Sequence, residues 1–190
     1  MEFENKSFLV TGGSKGIGRV LAGELRARGA RVAVTGRRRE ALEKTAREMD
    51  LLAIAGDVAR EEDASRAVET VVTEFGGIDV LVNNAAIGNR APLTEVDTGQ
   101  FEELLNINVK GAMFMARAAA PHFIRQKSGN IVNISSTAGL RGFPGGTAYV
   151  ASKFALKGMS ECWRAELRPH NVRVILINPS EVQTNFGRSE

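Results

Sequence analysis

Six short apolar runs, at residues 7–10, 32–34, 51–55, 78–82, 131–134 and 172–177, alternate with five segments of helical character at about 17–28, 39–49, 61–75, 101–125 and 149–167. The runs are continuously apolar instead of alternating with polar positions, the pattern of strands covered on both faces. The intervening helices supply that cover. A parallel, doubly wound α/β sheet in three layers is therefore predicted. Ligands of such sheets bind beyond the carboxyl ends of the strands. The unusual loops of this chain fall there: Gly12 to Gly18, Arg37-Arg38-Arg39, Asp57, Asn83-Asn84-Ala85-Ala86, Ser135-Ser136 and Asn178-Pro179-Ser180, each after one strand in turn.

A length of 190 residues suffices for one well-buried core and not for two, so residues 1–190 are expected to form a single domain. The 43% hydrophobic and 25% charged content argues against a disordered or membrane protein. No apolar stretch approaches membrane-spanning length, and the N-terminus offers no secretory h-region. The single cysteine, Cys162, rules out an internal disulfide framework and fits a reducing cytoplasm. It reads as a packing residue. A net charge of +3, from 25 basic and 22 acidic residues, is too slight to imply nucleic acid, and no metal site is expected.

Gly12, Gly16 and Gly18 leave the first strand and open the first helix, where bare backbone and free N–H groups suit a phosphate. This is not a P-loop, because Arg19 and Val20 follow Gly18 where Lys and Ser or Thr are needed. Arg37, Arg38 and Arg39 stand near the positive end of the next helix dipole, an unfavourable place for cations unless an anion joins them. No acid ends the second strand to accept from a ribose 2′-hydroxyl; Thr35 and Gly36 are there instead. An arginine just beyond suits a 2′-phosphate, and Lys15 adds charge on the same side.

Tyr149, the only tyrosine, lies four residues before Lys153, so the two share one helical face. A fixed positive charge beside a phenol favours phenolate and lowers its pKa from about 10, which would make Tyr149 a general acid or base near neutral pH. Ser136 lies thirteen residues upstream.

Together, Thr11 to Gly18, Asn83-Asn-Ala-Ala86, Asn108, Ser136 and Tyr149-x-x-x-Lys153 resemble the short-chain dehydrogenases/reductases, in the same order and over essentially the whole chain. The resemblance, most of all to 3-oxoacyl-carrier-protein reductases and their relatives, implies a Rossmann-like domain that binds a nicotinamide cofactor and interconverts a carbonyl and an alcohol. It implies Tyr149 as proton donor or acceptor, and Lys153 as the residue that lowers the Tyr149 pKa and bonds the nicotinamide ribose. Ser136 would position the substrate oxygen, a role Ser135 contests, although the thirteen-residue offset favours Ser136. Asn108 would hold a water linking Lys153 to solvent, with Asn106 the competitor and the adjoining Val109 and Gly111 favouring Asn108. Gly12, Ser14, Gly16, Ile17 and Gly18 would surround the pyrophosphate and adenosine ribose, while Lys15 and Arg37 match positions that select NADP over NAD. Asp57 and Val58 would meet the adenine, Asn83 the region behind the nucleotide, and Thr184 the carboxamide or phosphate side. Asp57 also reads as a helix N-terminal signal.

The chain departs from the family at Ala86 and Ser180, each standing where glycine is usual. Relatives are typically longer, so the resemblance also implies a substrate lid, a further helix and a last strand beyond Glu190. Small and methionine side chains in the fourth helix, and Phe154, Leu156, Met159 and Trp163 in the fifth, present more apolar surface than one sheet face needs; helices in these two positions form the dimer contact in the family, so the resemblance implies a homodimer or homotetramer. A regulatory protein that binds cofactor without turnover is the alternative reading.

Overall fold

At the centre of the sheet lies β1 (Ser7–Thr11), whose five residues are all buried. The computed structural model describes residues 3–184 and 186. Beside β1, β2 (Arg31–Gly36) and β3 (Leu52–Ala55) extend the sheet one way; β4 (Val80–Asn83), β5 (Gly129–Ile134) and β6 (Val172–Ile177) extend it the other. The order is β3-β2-β1-β4-β5-β6 and every pairing is parallel. The chain reverses its direction of travel between β1 and β4. This switch opens a crevice at the carboxyl edge, between the glycine loop and the Asn84 loop.

Cross-strand register explains why the apolar runs are continuous. Ala33, Leu9, Leu81, Ile131 and Val174 form one row across the sheet. That row packs with Val68 of α3 (Glu61–Phe75) and Phe123 of α5 (Ala112–Gln126). The adjacent row, Val34, Val10, Val82, Val132 and Ile175, faces the opposite way. Its Val34, Val10 and Val82 share a core with Ala22 and Leu25 of α1 (Gly16–Ala27) and Leu42 of α2 (Arg39–Met49). Successive residues thus enter different cores.

Cover on both faces does not extend to β6. Val172 and Val174 are buried, but Ile175 and Ile177 on the other face are 42% and 45% exposed. The described helices α1 and α2 lie over the opposite half of the sheet. No described helix is long and apolar enough to cross a membrane.

The single helix expected at 101–125 starts earlier and is not uniform. It comprises α4 (Thr98–Leu105), a π-helical stretch Asn106–Gly111, and α5. Asp97 sets the start, its Oδ1 accepting from the Gln100 N–H at 2.8 Å. The last helix, α6 (Thr147–Leu167), begins two residues before Tyr149. Neither Ala86 nor Ser180 adopts a positive φ, so both departures from glycine are free of left-handed strain.

Candidate active site

The glycine loop is built around close backbone approach. Gly12 has φ 67°, and a Cβ there would lie 2.9 Å from Ala85 Cα. At Gly18 a Cβ would stand 2.4 Å from the Gly12 carbonyl oxygen and 2.5 Å from Asn84 Nδ2. Only hydrogen fits at Gly18 without moving backbone. Asn84 clamps the loop, its Nδ2 donating to the Thr11 and Gly12 carbonyls at 2.8 and 3.3 Å. Thr11 Oγ1 accepts from the Asn84 and Ala85 N–H groups at 3.0 and 2.9 Å. Lys15 is the N-cap of α1, with no side-chain cap bond and no acid in the first turn. Among the described residues no side chain caps this first turn, an arrangement that suits an anion at the amides of Gly16, Ile17 and Gly18. Ser14 stands opposite Gly36, whose added Cβ would meet Ser14 Oγ at 3.8 Å. Thr184 packs over the loop, its Cβ 3.7 Å from the corresponding point at Gly16.

Three further elements bound the crevice. Arg37, just beyond β2, is exposed and pairs with Glu103 of α4 across 3.4 Å. Asp57 donates its N–H to Asp63 Oδ2 at 2.9 Å, and its own Oδ1 accepts from the Ala59 N–H at 3.0 Å. That bonding and the Arg66 guanidinium hold Asp63 below its ordinary pKa. Asp57 thus stabilises the turn before α3, whose N-cap is Arg60. Val58 is buried against Gly111, where a Cβ would fall 2.8 Å from Val58 Cγ2.

At the other end of the crevice stands the Tyr149 helix. Lys153 is 3% exposed; its ammonium donates to the Ile134 carbonyl at 2.9 Å and lies 5.6 Å from the Tyr149 ring centroid. Burial pushes Lys153 down to about 8. Tyr149 is partly buried, and desolvation raises its phenol above the ordinary value, opposed by the nearby Ser136 hydroxyl. This corrects the sequence expectation of a lowered phenol pKa. Loss of solvent is the largest influence on the phenol, while the ammonium bonds the Ile134 carbonyl.

Ser136 and Ser135 diverge. Ser136 lies near the Tyr149 phenol, and its Oγ accepts from the Ala138 N–H at 3.1 Å. Ser135 turns inward, 3.5 Å from the Lys153 carbonyl. Asn108 is buried in the π-helical stretch; its Nδ2 donates to the Ile87 carbonyl at 2.9 Å and to Ser152 Oγ at 3.1 Å, and its Oδ1 accepts from the Ile87 N–H at 2.9 Å. Ser152 in turn donates to the Tyr149 carbonyl at 2.7 Å. One side chain thereby ties the β4 loop to the Tyr149 helix. Asn83 points into the core, donating to Asn133 Oδ1 at 2.9 Å, while its own Oδ1 has no partner among the described residues. Asn83, Asn108 and Lys153 border a cavity of about 10 Å³.

Phe186 leans over Tyr149 with ring centroids 5.8 Å apart, and across from it Gly88 leaves the room: a Cβ there would be 2.9 Å from Phe186 Cε1. The profile of the short chain dehydrogenase family matches residues 6–190. The chain belongs to that family. It is an NAD(P)-dependent oxidoreductase, as family members are. It is 35% identical to the 3-oxoacyl-(acyl-carrier-protein) reductase of Thermotoga maritima, over 97% of this chain and 77% of the relative. The 3-ketoacyl-(acyl-carrier-protein) reductase of Brucella melitensis, solved with NADH, superposes with a TM-score of 0.93 at 32% identity, covering 96% of this chain and 78% of that one. An NAD+-bound xylitol dehydrogenase gives 0.89 at 38% identity, with 95% and 72% covered.

Sequence reasoning assigned no task to Asn84, Ser152, Glu103 or Phe186. Asn84 acts through the backbone of Thr11 and Gly12 and Ser152 through the Asn108 side chain, groups distant in sequence that no spacing rule reveals. Glu103 and Phe186 act through contacts made only after folding.

Proposed function

We propose that this short-chain dehydrogenase interconverts a carbonyl compound and a secondary alcohol, with Tyr149 as general acid and base and with NADP preferred over NAD. The observation that carries the reading is the convergence of Tyr149 and Lys153 on one face of α6, with the Lys153 ammonium 5.6 Å from the Tyr149 ring centroid and Ser136 beside the phenol. The glycine loop suits a dinucleotide, since glycine at Gly12 and Gly18 lets it pack tightly against the Asn84 loop at the start of α1, whose first turn has neither a side-chain cap nor an acid to compete with a phosphate. When bound, a nicotinamide cofactor supplies or accepts the hydride at the reacting carbon. In reduction, Tyr149 gives its phenolic proton to the substrate oxygen, and in oxidation it takes that proton back. Ser136 donates to the same oxygen and fixes its place. Lys153 supplies positive charge beneath the phenol, and Asn108 holds the helix and the β4 loop in register.

NADP preference rests on Arg37 and on Thr35 and Gly36 standing where an acid would accept from a ribose hydroxyl. Lys15 joins Arg37 in that role; Ser14, Ile17, Asp57, Val58, Asn83 and Thr184 complete the cofactor set. Phe154, 43% exposed on α6, favours association through α5 and α6, in a homodimer or homotetramer.

The test is NADPH and NADH consumption across β-keto esters, diketones and sugar ketones. Turnover should run faster with NADPH, and Arg37→Asp should weaken NADPH at least about tenfold while sparing NADH, as loss of a charge-assisted phosphate contact requires. Equal affinity for NADH and NADPH would remove the preference. Cofactor binding without turnover on any of these substrates would leave a binding protein.

A further inference from the structure

We propose that Glu103 tunes cofactor choice by competing with the 2′-phosphate of NADP for Arg37, an inference that rests on the reading of Arg37 above. The two residues are 66 positions apart in sequence and meet from opposite walls of the crevice. Arg37 leaves the carboxyl end of β2, and Glu103 projects from α4. The α4 wall is anchored. Asp97 caps its start, and Gly111, at the end of the π-helical stretch that follows, abuts Val58 of the β3 loop. The ion pair therefore bridges the opening beside Asp57 and Val58, where the adenosine end of the cofactor belongs in the proposed arrangement.

Its geometry suits an exchangeable partner. The Nη1 to Oε1 separation is 3.4 Å, longer than the 2.7–2.9 Å typical of a tight charge-assisted bond. Both side chains are about half exposed, at 52% and 54%. An arginine presents five N–H donors, so a phosphate can take the guanidinium from a loosely held carboxylate, but the carboxylate opposes it twice. It must first be displaced, and its negative charge then remains beside the phosphate. NADH carries no 2′-phosphate and meets neither penalty. Arg39, by contrast, pairs within its own helix with Glu43. The carboxylate partner of Arg37 comes from the far wall.

Removing the Glu103 charge should tighten NADPH by roughly two- to fivefold, the range of an exposed ion pair, and leave NADH unchanged. The measurement is calorimetric or fluorescence titration of the full chain with NADPH, NADH, 2′,5′-ADP and AMP, using wild type, Glu103→Gln, Arg37→Ala and the double variant. Glu103→Gln is expected to improve NADPH and 2′,5′-ADP alone. The gain should vanish in the Arg37→Ala background and shrink in high salt. Unchanged or weaker NADPH binding by Glu103→Gln, while Arg37→Ala still weakens NADPH, would overturn the competition. Equal tightening of NADH and NADPH would overturn it too, by showing a general charge effect. If Arg37→Ala leaves NADPH affinity intact, the Arg37 reading itself fails and takes this inference with it.

Discussion

Tyr149→Phe is expected to lower turnover by between about a hundred- and ten-thousandfold, the usual span for removal of a general acid or base, while NADPH affinity stays within about twofold of wild type. The substitution deletes one oxygen and keeps the ring, so the contact with Phe186 and the packing of α6 persist. What disappears is the phenolic hydroxyl beside Ser136, the group assigned to pass a proton to the substrate oxygen. Retained turnover in the variant would refute the assignment. Because Tyr149 is the sole tyrosine, its ionisation can be followed directly by ultraviolet titration. In the free protein the phenol should titrate above its ordinary value of 10.0, as burial demands. Titration below that value would show that Lys153 governs the phenol after all.

Lys153→Met should abolish most activity and yet make the protein more stable at pH 7. The ammonium is 3% exposed and its pKa falls from the ordinary 10.5 to about 8. Keeping it charged at neutral pH therefore destabilises the fold by about 3 kcal/mol. Methionine follows the same unbranched path without charge but leaves the Ile134 carbonyl without its donor, a loss of about 1–2 kcal/mol. A net gain of about 1–2 kcal/mol remains, a rise of a few degrees in melting temperature for a domain of this size.

The pH dependence has a definite sign. Between pH 8 and 10.5 the folded protein has released the Lys153 proton and the unfolded chain still binds it, so wild-type stability rises with pH across that window. Lys153→Met should lack this rise. Carbonyl reduction by the wild type should instead decline as pH passes about 8, because the positive charge beneath Tyr149 is lost. Calorimetry at pH 7 and 9.5 with a pH–rate profile tests both. A variant that melts below wild type at pH 7 would contradict the desolvation argument.

Strand count and parallel order were legible because continuous apolar runs have one economical explanation in a sheet with two covers, and Leu9 and Val10 illustrate it by entering different cores. Ile175 and Ile177 read identically in sequence, yet one face of β6 is exposed. Apolar character records what a residue favours, not which described neighbour covers it. Helix limits failed where capping decided them: Asp97 moves the start of α4 to Thr98, and the π-helical stretch around Asn108 has no periodic signature. Of the site, Gly18 and the Tyr149–Lys153 spacing were readable since both depend on local geometry.

From the sequence alone came the parallel architecture, the family resemblance and the residue types at the carboxyl edge, because strand periodicity and helical i,i+4 spacing are local properties of the chain. Only the tertiary structure set Ser136 and not Ser135 against Tyr149, joined Arg37 to Glu103, and raised the phenol pKa that an adjacent ammonium was expected to lower. Each of those depends on which distant surfaces exclude water and which charges meet across the crevice, quantities that exist only once the chain has folded.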